Sequence, residues 1–207
     1  IMPPEWSAYP SLVEWCANTT DIYPDVNIEG ARKVLEDAGY TMDADGYYVT
    51  GLTIDCFEGQ LVDMTKLVIA NCEKAGIKCE LIVSEFNAWS EKVYRGSDFM
   101  IEAQGGFMGP DPAALASRYG TGSSSNYADY ANPEFDELCA KAAAEGNQEK
   151  RAELYRQAQA LLVRDLPCIN VLGYAGYEAS SANLANLPID GAGQWGWNEY
   201  TYTYFTD

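Results

Sequence analysis

The sequence predicts an α/β fold: a mixed sheet of three to five strands built from βαβ units and flanked by helices. Three observations carry this reading. Apolar runs of strand length stand at 52–57 (LTIDCF), 78–85 (KCELIVSE) and 98–104 (DFMIEAQ). Between the first two, residues 61–75 place Leu61, Met64, Leu67, Val68 and Cys72 along one helical stripe. Between the second and third, FNAWSEKVYR (86–95) has the length of a further helix. A strand, a helix of that length and a second strand make parallel neighbours joined by a right-handed crossover.

The remaining elements follow in order. Residues 1–26, rich in Pro, Tyr and Trp, read as an irregular lead-in. Asp25 or Asn27 caps a helix running to about Ala38, with Ala31, Val34, Leu35 and Ala38 on one face and Gly39 as the stop. DADG at 43–46 is a turn; it resembles the start of a calcium loop but lacks the later ligands and the closing Glu. After the third strand, GPDPAAL turns into a short helical patch and a flexible GTGSSSN stretch follows. Asn132 then caps a helix with Pro133 in its first position and Glu134 and Asp136 in its first turn, where acids favour the dipole. A longer helix covers 148–165, Pro167 ends it, and CINVLGY (168–174) reads as another strand. The end, GQWGWNEYTYTYF, alternates aromatics through Trp195, Trp197, Tyr200, Tyr202 and Tyr204.

Composition narrows the function. With 207 residues, 47% hydrophobic and 21% charged, the chain is long enough for a real core. A net charge of −18 excludes nucleic acid as a partner, because that affinity comes from Lys and Arg neutralising phosphates. There is no histidine, which removes Ser-His-Asp and Cys-His nucleophiles and His-bearing zinc sites. The six cysteines, Cys16, Cys56, Cys72, Cys79, Cys139 and Cys168, include no C-x-x-C pair. Disulfides among them are open if the protein is exported, with partners that spacing does not assign. No cofactor and no metal site is expected. IMPPEW lacks the basic and apolar regions of a secretory signal, and no run reaches membrane-span length.

In an open α/β sheet, ligands bind outside the carboxyl ends of the strands. That rule selects Phe86 and Trp89 after the second strand and Gln104, Gly105, Gly106, Phe107 and Met108 after the third, with Asp111 just beyond. The glycines allow close backbone approach, and the aromatics and Met supply apolar contact. Phe86 and Trp89 fit helix–sheet packing equally, and Asp111 fits a helix cap. A carboxylate-based glycoside hydrolase would draw on Glu85, Glu102 and Asp111, but no spacing singles out a pair. The terminal aromatics fit a carbohydrate-stacking surface or internal packing.

Taken as an ordered series, GPDPAAL, YGTG, YANPEFDELCAKA and KRAELYRQAQALLVRDLPCINV resemble the C-terminal lobe of peptide/nickel-type solute-binding proteins of ABC importers. ARKVLEDAGYTMDADGYYVTGLTI and AGIKCELIVSEFNAWSEKVYRGSDFMI support the likeness, which spans about residues 24–175. The resemblance implies one lobe of a two-lobed, periplasmic-binding-protein-like fold that is not an enzyme. The lead-in 1–26 would come from a missing N-terminal lobe, 27–175 would form the ligand-binding lobe, and 176–207 would return to the N-terminal lobe. It further implies an extracytoplasmic location, periplasmic or as a cell-surface lipoprotein, with a peptide or similar small solute as ligand and a membrane permease as partner. The alternative is a self-contained carbohydrate-binding domain or the glycoside hydrolase above. One departure stands out: peptide-binding members carry an acid for the ligand's α-amino group where this chain has Met108. The tryptophan those members often place near Gly105 or Gly106 is also lacking, while the aromatic after the second strand is kept as Phe86.

Overall fold

The computed structural model describes residues 26–105, 111–169, 171, 181–186 and 203–206. They divide into two compact units, one comprising 26–105 and 117–130, the other the remaining described segments.

In the first unit, helix α1 (Ile28–Asp37) starts at Asn27, whose side chain accepts from the Gly30 amide at 2.7 Å. Gly39, at φ +90°, ends it in the left-handed conformation that favours glycine. The expected βαβαβ core follows as β1 (Val49–Phe57), α2 (Gln60–Lys74), β2 (Ile77–Ser84), α3 (Phe86–Ser90, continuing as a π-helical turn over Glu91–Arg95) and β3 (Ile101–Ala103). All three strands are parallel, in the order β2-β1-β3. Gly76 makes the α2–β2 turn possible. Its φ is +83°, and a Cβ there would meet the Tyr48 ring at 2.8 Å.

Strand alternation decides what each sheet face holds. Ile54 and Cys56 face α2, where Thr65 Oγ1 lies 3.8 Å from the Cys56 sulfur. Asp55 and Phe57 face the other way, toward Lys92 and Trp89 of the α3 segment. The two connecting helices therefore lie on opposite faces. Since the chain moves from β1 to one neighbour and then across to the other, both crossovers share one hand, as the rule for parallel strands requires.

The α2 stripe is rotated from its sequence expectation. Leu61 and Thr65 are buried, whereas Leu67 is 68% exposed. At 100° per residue, Leu61, Thr65, Val68 and Cys72 form one line and Leu67 lies about 120° from it. Thr65 is tolerated there because its hydroxyl donates to the Leu61 carbonyl at 2.8 Å.

Helix α4 (Ala114–Tyr119) leads from the second unit into the loop 120–130 of the first. That glycine-serine segment, expected to be flexible, is held by Asn126, which is only 6% exposed. Asn126 Nδ2 donates to the carbonyls of Gly120 (3.1 Å) and Tyr130 (2.8 Å), and its Oδ1 accepts from the Tyr130 amide at 3.1 Å. The Ser123 hydroxyl donates to the Ser117 carbonyl.

The second unit holds the hairpin of α5 (Pro133–Ala144) and α6 (Gln148–Asp165), both at their expected positions. Asn132 caps α5 by accepting from the Glu134 and Phe135 amides, and its Nδ2 donates to Asp165 at the end of α6 (2.8 Å). Phe135, Cys139, Ala142, Ala152, Tyr155, Ala158 and Leu162 form the buried seam. Leu166, at φ +51°, ends α6 one residue before Pro167. Of the strand expected at 168–174, Cys168, Ile169 and Val171 are described and pair with no strand among the described residues; the rest lies outside them. Near the end, β4 (Leu184–Ala185) pairs antiparallel with β5 (Tyr204–Phe205). Trp195, Trp197, Tyr200 and Tyr202 lie outside the described residues. Among the described residues no helix is long and apolar enough to cross a membrane.

Candidate functional site

Strand order places the candidate site. The chain leaves β1 for one neighbour and crosses to the other, and the rule for open α/β sheets assigns a ligand site to such a switch point, here the carboxyl ends of β1 and β3. Phe57 and Glu58 end β1, Ser84 and Glu85 end β2, and Gln104 and Gly105 follow β3. The Glu58 amide donates to the Ser84 carbonyl at 3.0 Å, tying the first two ends together.

An aromatic ledge is built on this edge. Phe57 meets Phe86 edge-on at 5.3 Å and Trp89 at 4.8 Å; Trp89 meets Tyr94 at 4.9 Å, and Tyr94 lies on Tyr127 at 4.6 Å. Arg118 caps the far end, its guanidinium 5.5 Å over the Tyr127 ring. Within this row Trp89 is 1% exposed and forms the floor, while Phe86 is 50% exposed and forms the open surface. Of the two readings open for each from the sequence, the core one describes Trp89 in this structure; Phe86 offers an apolar face to solvent beside it.

A polar network runs under the ledge. Tyr94 donates to Gln104 Oε1 at 3.0 Å, and Gln104 Nε2 donates to Glu102 Oε1 at 2.8 Å. Gln104 is thus oriented by its neighbours. Glu102 sits beside Asp55 across the β1–β3 register, on the same sheet face. Lys92 reaches Asp55 Oδ1 at 2.6 Å. Asp55 Oδ2, Glu102 Oε2 and Trp89 Nε1 are buried without a hydrogen-bond partner.

Burial pushes the Glu102 carboxyl above its ordinary value, against lowering by the Gln104 bond and Arg118. An acid whose folded pKa is raised contributes stability that is full below its unfolded value and lost as pH rises through the folded one. Glu102→Gln is therefore expected to stabilise the chain at neutral pH. It should also flatten stability against pH just above the usual carboxylate range, as read by urea midpoints from pH 4 to 7. Equal midpoints for variant and parent at pH 7 would contradict this burial argument.

The other candidates separate. Gly105 is exposed next to Gln104, and Gly106, Phe107 and Met108 lie outside the described residues. Asp111 belongs to the second unit, where its Oδ1 accepts from the Ala113 amide at 2.8 Å and from Arg151 at 2.7 Å. The amide bond foremost, with Arg151, holds its carboxyl below the ordinary value. That is the capping role open to it from the sequence. Of the three acids weighed for hydrolysis, Glu85 is exposed and Glu102 is engaged with Gln104. Among the described residues no cluster of His, Cys, Asp or Glu could hold a metal ion.

Sequence reasoning missed Phe57, Tyr94, Tyr127, Arg118 and the Asp55–Lys92 pair. The strand-end rule contains Phe57 once β1 is taken as the central strand. Tyr127 has no sequence signal, because a loop about thirty residues further on brings it to Tyr94.

No family model matches the chain. The dipeptide-binding protein of Pseudomonas aeruginosa is 27% identical over 165 residues, covering 77% of this chain and 30% of that protein. The heme-binding protein A of Haemophilus influenzae is 28% identical, covering 75% of this chain and 29% of its own length. The chain thus spans about 30% of the curated relatives it matches. Among solved structures, the ABC transporter substrate-binding protein CtaP of Listeria monocytogenes superposes with a TM-score of 0.60 at 25% identity, covering 68% of this chain and 28% of that one. The relatives are substrate-binding proteins rather than enzymes, and the α/β fold matches one part of them.

Proposed function

We propose that this chain is the ligand-binding lobe of an ABC importer's extracytoplasmic substrate-binding protein, capturing a peptide or similar small solute against a second lobe. The observation that carries this reading is the half-exposed Phe86 ring, set on Phe57 and Trp89 at the carboxyl edge of a parallel sheet. An apolar ledge with an oriented amide, Gln104, beside it is the composition of a small-ligand site. The ligand touches both lobes only when they close, so binding shifts a hinge equilibrium and presents the closed form to a membrane permease. The relatives' binding of dipeptides and heme supports a small ligand and weighs against the hydrolase alternative.

Met108 sets the ligand's likeness to a free peptide. Where an acid would pair with an α-amino group, a thioether favours a blocked or uncharged end, or a peptide held by the other lobe. The test is calorimetry on the two-lobed protein with free-amine and N-acetylated di- and tripeptides. Binding of either class, weakened about tenfold by Phe86→Ala through the lost apolar contact, is expected. Failure of both classes, or a Phe86→Ala variant that binds like the parent, would sink the reading. Met108→Asp should shift preference toward free amines.

A further inference from the structure

Cys72 and Cys79 come from different elements and lie on the sides of α2 and β2 that face each other. Cys72 lies in the last turns of α2, on the line of Leu61, Thr65 and Val68 that faces the sheet. Cys79 is the third residue of β2 and pairs in register with Leu52 of β1. Leu52, Ile54 and Cys56 share one side of β1, so Cys79 lies on that same side, beneath α2. Both cysteines are free thiols and only partly buried.

We propose that Cys72 and Cys79 are a disulfide site that staples the C-terminal end of α2 to β2. The oxidant is a small-molecule or protein disulfide. A Cys72 thiolate attacks it, displaces one thiol and forms a mixed disulfide. The Cys79 thiolate then attacks the Cys72 sulfur and expels the second thiol. Two protein thiols and one external disulfide become one protein disulfide and two external thiols. The pairing chemistry is independent of the ligand reading; the supply of oxidant in the cell rests on the extracytoplasmic one.

The staple would act on the site from behind. β2 runs from Cys79 straight to Ser84 and then to Phe86, so fixing its start against α2 fixes the strand whose end carries the ledge. The other described cysteines are placed differently. Cys56 is buried against Thr65, Cys139 is buried in the second unit, and Cys168 is exposed there. Burial, then Cys72 and Glu73, push the Cys79 thiol up to about 11. Its thiolate is scarce at neutral pH, and exchange quickens as pH rises.

The test is disulfide mapping. The native chain is incubated with oxidised glutathione at pH 8.5, its remaining thiols are alkylated, and it is digested with trypsin without reduction. Cleavage after Lys66, Lys74, Lys78 and Lys92 puts Cys72 on peptide 67–74 and Cys79 on 79–92. The expected product is these two peptides linked, two hydrogens lighter than their sum, with a melting temperature several degrees above the reduced form. Oxidant should leave the melting temperature of Cys72→Ser/Cys79→Ser unchanged. Both peptides recovered alkylated, either one linked elsewhere, or a linked protein that melts no higher than the reduced one would overturn the proposal.

Discussion

Trp89→Ala is expected to lower unfolding stability by about 4 kcal/mol, the largest loss of any single change at the ledge. The side chain is 1% exposed and touches three other rings, Phe57, Phe86 and Tyr94. Truncation leaves a ring-sized cavity between α3 and β1, and the surrounding strands are hydrogen-bonded on both sides of β1 and cannot collapse into it. Trp89→Phe tests the mechanism. It keeps most of the apolar volume and removes an indole N–H that has no partner, so it should cost well under half as much. Denaturant midpoints measure both. Equal losses for the two variants would show that the cavity is not the cause, and a loss below about 1 kcal/mol for alanine would show that Trp89 is not a core residue.

Lys92→Met should cost about 3 kcal/mol by removing the partner of a buried carboxylate while keeping the apolar stem. Asp55 is 1% exposed, and the ammonium at 2.6 Å is its one salt bridge among the described residues. About a third of the Lys92 side chain is exposed, so water offsets part of the loss and the figure lies at the low end for a broken buried pair. Adding Asp55→Asn removes the stranded charge. The double variant should recover most of the stability, as a double-mutant cycle in urea would read. A Lys92→Met protein as stable as the parent, or a double variant worse than the single, would show that the pair does not stabilise this fold.

Both predictions concern residues whose importance is invisible along the chain. Asp55 sits in LTIDCF, where alternation marks it only as a residue facing away from Ile54 and Cys56. Its burial follows because β1 is the middle strand, with a helix on each face. Lys92 reads as an ordinary surface position on a helix until the π-helical turn and the crossover bring it over β1. Leu67 and Thr65 trade places for a similar reason. Five apolar residues are compatible with more than one line on a helix, and the sheet selects the line.

The loop 120–130 makes the contrast sharpest. Gly and Ser carry weak local preferences, so GTGSSSN reads as flexible; one buried asparagine, bonded to two carbonyls and an amide, closes it. Those partners are defined only once the chain has turned. By the same step Tyr127 reaches Tyr94 and completes the ledge.

What the sequence determined by itself is the local content: three strands and their connecting helices, a first helix start at Asp25 or Asn27, the Asn132 cap, the stops at Gly39 and Pro167, and Phe86 at a strand end. Each rests on a few neighbouring residues, through periodicity, capping and backbone restriction. Only the tertiary structure decided the order β2-β1-β3, the burial of Asp55 and Trp89, the placing of Cys72 and Cys79 on facing sides of α2 and β2, and which aromatic remains open to solvent. Those depend on pairings between distant segments, whose free energy is in burial and strand hydrogen bonding rather than in any local preference.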